Sequence, residues 1–192
     1  SVLACIFEKP SLRTRVSFEV AMNHLGGNAM YLSPAEVGLG TRESVPDVAR
    51  VLAGMADGIM ARVFEHAKLT ALAQHAAVPV INGLSDYSHP CQAMGDLLTI
   101  EEHFGALAGR TLAYIGDGNN VARSLMVASA RFGVKFRMAA PPGYELESTL
   151  LDRLMRQCPN LDFASAREPR DVLREADVIY TDTWVSMCQE KE

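Results

Sequence analysis

Four short stretches of the sequence hold the residue types that could do chemistry. The first is Phe7-Glu8-Lys9-Pro10-Ser11-Leu12-Arg13-Thr14-Arg15. Two hydroxyls, free backbone N–H groups at a helix start and the planar fork of Arg13 suit a small anion such as phosphate. A Ser/Thr-capped helix with solvated arginines would look the same. The second is Arg62, which closes the apolar run Gly58-Ile59-Met60-Ala61. A cation there must reach a partner or snorkel to water. The third is His89-Pro90-Cys91-Gln92. A histidine at a helix N-terminus is biased toward its neutral form and can donate to a carbonyl, with Gln92 about one turn on. A plain polar cap is the alternative. His89 and Cys91 have no further ligands at metal-site spacing, so no metal centre is expected. The fourth is Asp182-Thr183-Trp184-Val185-Ser186-Met187. A carboxylate and a hydroxyl beside a tryptophan could hold an amino acid, or simply end a strand.

The elements that must position these residues alternate strand and helix throughout. Apolar runs predict strands at 2–7, 28–32, 58–63, 78–81, 111–115, 134–139, 161–163 and 177–181. Helical patterns lie near 14–25, at 67–75, 90–103, 120–132, 146–157 and 169–176, with a further helix capped by Ser44 that carries Pro46 in its first turn. The first helix is expected to share a face of Val16, Val20, Ala21 and Leu25. Residues 33–41 and 82–88 read as loops. Strands that feed crossover helices make parallel sheets, so the fold class is α/β with two doubly wound parallel-sheet domains. The joint is expected near 104–110, giving domains 1–105 and 106–192. In such sheets ligands sit beyond the carboxyl ends of the strands, where all four stretches fall.

Composition narrows the classes. Lys and Arg number 18 against 23 Asp and Glu, a net charge of −5 with 48% hydrophobic residues. This is the balance of a soluble globular chain without the basic patch that nucleic-acid binding needs. No apolar run reaches membrane-spanning length and no secretion leader is expected. Four scattered cysteines without CxxC pairing fit a reducing, cytoplasmic setting. The turn Gly116-Asp117-Gly118-Asn119-Asn120-Val121 imitates a dinucleotide fingerprint, but the third glycine and the acidic ribose partner are missing, which argues against NAD.

Taken together, the ordered segments FEKPSLRTRVSFEVAMNHLGG, RES at 42–44, HPCQ, GDGNN and DTWVSM resemble the ornithine carbamoyltransferase family over essentially the whole chain. The resemblance implies that Ser11, Leu12, Arg13 and Thr14 bind the phosphate of carbamoyl phosphate. It gives Arg62, His89 and Gln92 the carbamoyl end, and Asn120, Asp182, Ser186 and Met187 the ornithine. Arg62, His89 and Thr14 would act catalytically by donating to the carbonyl oxygen as negative charge grows there. The δ-amine of ornithine would attack, and citrulline and phosphate would leave without metal or cofactor. A homotrimer or a multiple of trimers is implied, as are a helical segment before Ser1 and a Cys-Leu-Pro loop and last helix beyond Glu192. Three positions depart from the family pattern: Leu12 replaces a frequent Thr, Gly38 a frequent glutamine and Cys188 a glycine. A carbamoyltransferase for a related amine, or a non-catalytic carbamoyl-phosphate binder, are the alternatives.

Overall fold

The structure is a computed structural model and describes residues 1–183. By packing the chain divides into two units, Ser1–Tyr87 and Ser88–Glu192.

The first unit contains β1 (Val2–Phe7), α1 (Leu12–His24), β2 (Asn28–Leu32), α2 (Pro34–Val37), α3 (Val45–Ala53), β3 (Gly58–Arg62), α4 (His66–His75) and β4 (Val80–Leu84). Its strands form one parallel sheet in the order β2-β1-β3-β4. Alternation along β1 sets the two faces. Ile6 packs with Ile59, Ala61, Val48, Leu69 and Leu72 under α3 and α4. Leu3, Cys5 and Phe7 pack with Met60 under α1. Each fully buried Leu, Ile or Phe in such a core contributes about 1.5–3 kcal/mol.

Three local expectations change. Helix α1 buries none of its residues, and Val16, Val20 and Leu25 are exposed, as is Ala21. Its apolar contact with the sheet is made by Phe18 and Met22, spaced i, i+4 and packed against the cluster of Leu3, Cys5, Phe7 and Met60, while Arg15 lies over the Tyr31 ring at 4.2 Å. The fourth strand begins two residues later than the apolar run suggested and extends to Leu84, with a register shift opposite Ala61 and Arg62. Within the expected 33–41 loop, Ser33 and Glu36 form a capping box that nucleates the single turn α2. Ser44 caps α3 as its position predicts, accepting from the Asp47 N–H at 3.3 Å.

The second unit contains α5 (Pro90–Phe104), β5 (Thr111–Ile115), α6 (Asn120–Phe132), β6 (Lys135–Ala139), α7 (Ser148–Gln157), β7 (Phe163–Ala166), α8 (Pro169–Leu173) and β8 (Val178–Thr181). The sheet is again parallel, in the order β7-β6-β5-β8. Ala93, Leu97 and Ile100 of α5 join the core made by Leu112, Tyr114, Phe136 and Leu125. By packing, therefore, α5 goes with this unit, although the polar and small-residue break in the sequence comes only after it. An aromatic row crosses the sheet: Tyr180 stacks on Tyr114 at 5.7 Å, and Phe136 lies 6.3 Å from Tyr114 and 6.4 Å from Phe163.

Candidate active site

Each sheet reverses its strand order at one point, between β1 and β3 in the first and between β5 and β8 in the second. Crevices form at such reversals, beyond the carboxyl ends of the strands. The stretch at 7–15 and Arg62 lie at the first of these reversals and Asp182 at the second, while His89–Gln92 follows β4 at the start of α5.

In the first unit, Ser11 caps α1 by accepting from the Thr14 N–H at 3.4 Å and donating its own hydroxyl to Thr14 Oγ1 at 3.1 Å. Arg62, paired in register with Phe7, donates from Nη1 to the same Thr14 oxygen at 3.2 Å. Thr14 Oγ1 thus receives two hydrogen bonds, which directs its own proton elsewhere, toward whatever acceptor enters the cradle. Burial, and secondarily the positive charge of Arg13, holds the Arg62 guanidinium below its ordinary range. Its Nε is buried without a hydrogen-bond partner among the described residues. Two cations crowded together, one of them partly stripped of water, form a place that is relieved by an anion. The Leu12 side chain is 79% exposed, so at that position only backbone faces the helix start. Glu8 is committed to the frame: Oε2 accepts from the Phe64 N–H at 2.9 Å and Oε1 from Lys68 Nζ at 2.6 Å.

The charge is reversed in the second unit. Asn119 caps α6, its Oδ1 accepting from the N–H groups of Val121 and Ala122 at 2.9 and 3.0 Å. Its Nδ2 donates to Asp182 Oδ2 at 2.9 Å and to Asp117 Oδ1 at 3.4 Å. Asn120, the residue singled out by sequence, opens α6 and accepts the Ser124 hydroxyl on its carbonyl at 2.7 Å. The turn into this helix requires glycine at 118, where a Cβ would stand 2.7–2.8 Å from the backbone of Glu145 and Leu146. His89 precedes α5, and its backbone N–H donates to Ser124 Oγ at 2.7 Å, which ties the start of α5 to α6. Burial pushes the Cys91 thiol up, which disfavours its thiolate form.

Gln92 donates from Nε2 to Asp96 Oδ1 at 2.8 Å. Burial, and more weakly the charge of Asp182, holds the Asp96 carboxyl above the usual range, while donation from Gln92 and Tyr180 opposes the rise. The hydroxyls of Tyr114 and Tyr180 are pushed up too, chiefly by burial and then by the surrounding carboxylates. Sequence reasoning passed over Asp96, Asn119 and Tyr180. The i, i+4 spacing of Gln92 and Asp96 on a predicted helix was a usable signal for the first. Ser186 and Met187 lie outside the described residues.

Both halves of the chain are similar to known proteins. Residues 1–102 match a family model described as the aspartate/ornithine carbamoyltransferase carbamoyl-P binding domain, and residues 108–192 match the Asp/Orn binding domain of the same family. An ornithine carbamoyltransferase of Pyrococcus abyssi is 50% identical over 192 residues, covering 99% of this chain and 61% of the relative. One from Thermus thermophilus is 52% identical over 191 residues, covering 100% of this chain and 61% of its own length. The chain therefore spans about three fifths of the curated relatives it matches. Among solved structures, the ornithine carbamoyltransferase of Pyrococcus furiosus superposes with a TM-score of 0.94 at 49% identity, over 100% of this chain and 62% of that one. The anabolic enzyme of Campylobacter jejuni gives 0.93 at 38% identity, over 100% and 64%. With both halves matched in order, the chain belongs to the aspartate/ornithine carbamoyltransferase family.

Proposed function

We propose that the protein transfers the carbamoyl group of carbamoyl phosphate to the δ-amine of L-ornithine, giving citrulline and phosphate. The observation that carries this reading is the cation-crowded cradle of Ser11, Arg13, Thr14 and Arg62 at the first sheet reversal. It is suited to a doubly charged phosphate with a polarisable carbonyl beside it. Backbone at Leu12 and the Arg13 guanidinium take the phosphate, and Arg13 stabilises it as it leaves. Thr14 and Arg62, with His89, donate to the carbonyl oxygen as it gains charge in the tetrahedral intermediate. Gln92 takes the carbamoyl amino group. The reading assigns carbamoyl phosphate chiefly to residues 1–105 and ornithine to 106–192, through Asn120, Asp182, Ser186 and Met187. Asp182 suits an ammonium and Asn120 the polar head of an amino acid. It also carries the homotrimer, or multiple of trimers, and the cytoplasmic location that the family resemblance implies.

The test is carbamoyl transfer from carbamoyl phosphate measured in parallel with ornithine, aspartate and putrescine. Citrulline formation is the expected result. Preference for aspartate or putrescine would overturn the ornithine assignment.

A further inference from the structure

We propose that Asp96 is a positioning residue that orients the Gln92 side-chain amide, so that its Oε1 edge receives the amino group of a carbamoyl ligand. This rests on the carbamoyl phosphate reading given above.

The two residues stand one turn apart on α5, and the bond runs from Gln92 Nε2 to Asp96 Oδ1 at 2.8 Å. Gln92 is exposed, and this bond restrains a long side chain otherwise free to rotate and to flip its amide. Asp96 Oδ1 accepts from the NH2 edge of the amide and so holds that edge. The acceptor edge is thereby turned outward, which is the edge a carbamoyl N–H requires.

Asp96 is itself held from the sheet. The Tyr180 hydroxyl is near enough to its carboxyl for each to shift the other's titration, and the Tyr180 ring stacks on Tyr114 at 5.7 Å and 17°. Asp96 Oδ2 is buried and receives no hydrogen bond among the described residues. A carboxyl kept half-buried beside Asp182, with one oxygen unsatisfied, works against folding stability. Its other contact is with a residue that the functional reading places on the ligand. The arrangement makes sense as orientation of that residue.

Two phosphonates separate this role from a structural one: phosphonoacetamide, which keeps the carbamoyl amide, and acetonylphosphonate, which has a methyl in place of the amino group. Calorimetry on the full chain is expected to show a preference for the amide of about tenfold, the scale of one neutral hydrogen bond. Asp96→Ala is expected to erase that preference while leaving acetonylphosphonate affinity unchanged. Asp96→Asn keeps an acceptor of the same size and retains part of it. In a Gln92→Ala background neither Asp96 substitution changes the ratio further, so Asp96→Asn compared across the two backgrounds decides the matter even if Asp96→Ala does not fold. A preference that survives in Asp96→Ala, or an equal loss for both phosphonates, overturns the role of Asp96 alone. Failure of the unsubstituted protein to bind either phosphonate overturns the carbamoyl phosphate reading and this inference with it.

Discussion

The two units are built from the same βα units and reverse their strand order in the same way, yet the charge at the two reversals is opposite. At the β1/β3 end, Arg13 and Arg62 crowd each other over a pair of bonded hydroxyls. At the β5/β8 end, Asp117 and Asp182 share one asparagine, with Asp96 and two tyrosine hydroxyls close by. Parallel βα architecture fixes only where a ligand can sit. The few side chains just beyond the strand ends decide which sign of charge is welcome there.

The strongest way to break the comparison is to remove one end altogether. Gly118→Ala puts a methyl 2.7–2.8 Å from the Glu145 and Leu146 backbone, which cannot move aside as a flexible side-chain tip would. The expected cost is about 3 kcal/mol or more, at the upper end for overpacking. Hydrogen exchange under mild urea should show it as faster opening of residues 88–183 with 1–87 protected as before.

Next in size is Arg62→Met. Its expected effect is a loss of about 1.5–3 kcal/mol in carbamoyl phosphate affinity, the scale of a charged hydrogen bond. Because Arg62 is partly desolvated and repelled by Arg13, thermal stability should hold or rise. Unchanged affinity in calorimetry would remove Arg62 from the anion cradle.

Gly38→Ala tests the border of the first unit. Gly38 ends α2 at φ +53°, and a Cβ there meets the Cβ of Arg42 at 2.6 Å. Left-handed backbone alone costs a non-glycine residue about 1–2 kcal/mol. Urea unfolding should register at least that loss, and a glutamine at this position, frequent in the family, would carry the same backbone strain here.

These tests also mark what could be read from sequence. The parallel sheets, the capped helix at Ser44 and the placement of the 7–15 stretch and Arg62 at strand ends follow from short-range pattern. Such pattern depends on local chemistry, and local chemistry is fully written in the sequence. The packing of α1 was not legible, because periodicity counted Val16, Val20 and Leu25 equally with Phe18 and Met22. Only the depth to Phe7 and Tyr31 selects the larger side chains. The Gln92–Asp96–Tyr180 connection was legible only on the helical side. Tyr180 lies 84 positions beyond Asp96 in the sequence, and only the β5–β8 register, with Tyr114 opposite Tyr180, brings its hydroxyl there. Asn119, rather than Asn120, reaches Asp182 because the capping residue stands before the helix with its side chain folded back over the first turn.

The smallest effect is the most specific to the acidic end. Asp182→Asn keeps a side-chain oxygen able to accept from Asn119 but deletes a charge that raises Asp96, Tyr114 and Tyr180 together. Consider Asp96. Its folded pKa lies above the ordinary 3.8, so the native state holds its proton where the unfolded chain has released it. Its contribution favours folding fully below that ordinary value and is lost as pH rises through the raised folded value. Removing Asp182 lowers the folded value without restoring it, since burial is the larger cause. The decline in stability on going from about pH 4 to neutral should therefore be shallower in Asp182→Asn than in the unsubstituted protein. The difference is on the order of a few tenths of a kcal/mol, because both carboxylates retain solvent. Urea unfolding at a series of pH values measures it, and parallel curves for the two proteins would mean that the carboxylates at β8 and α5 do not share one field.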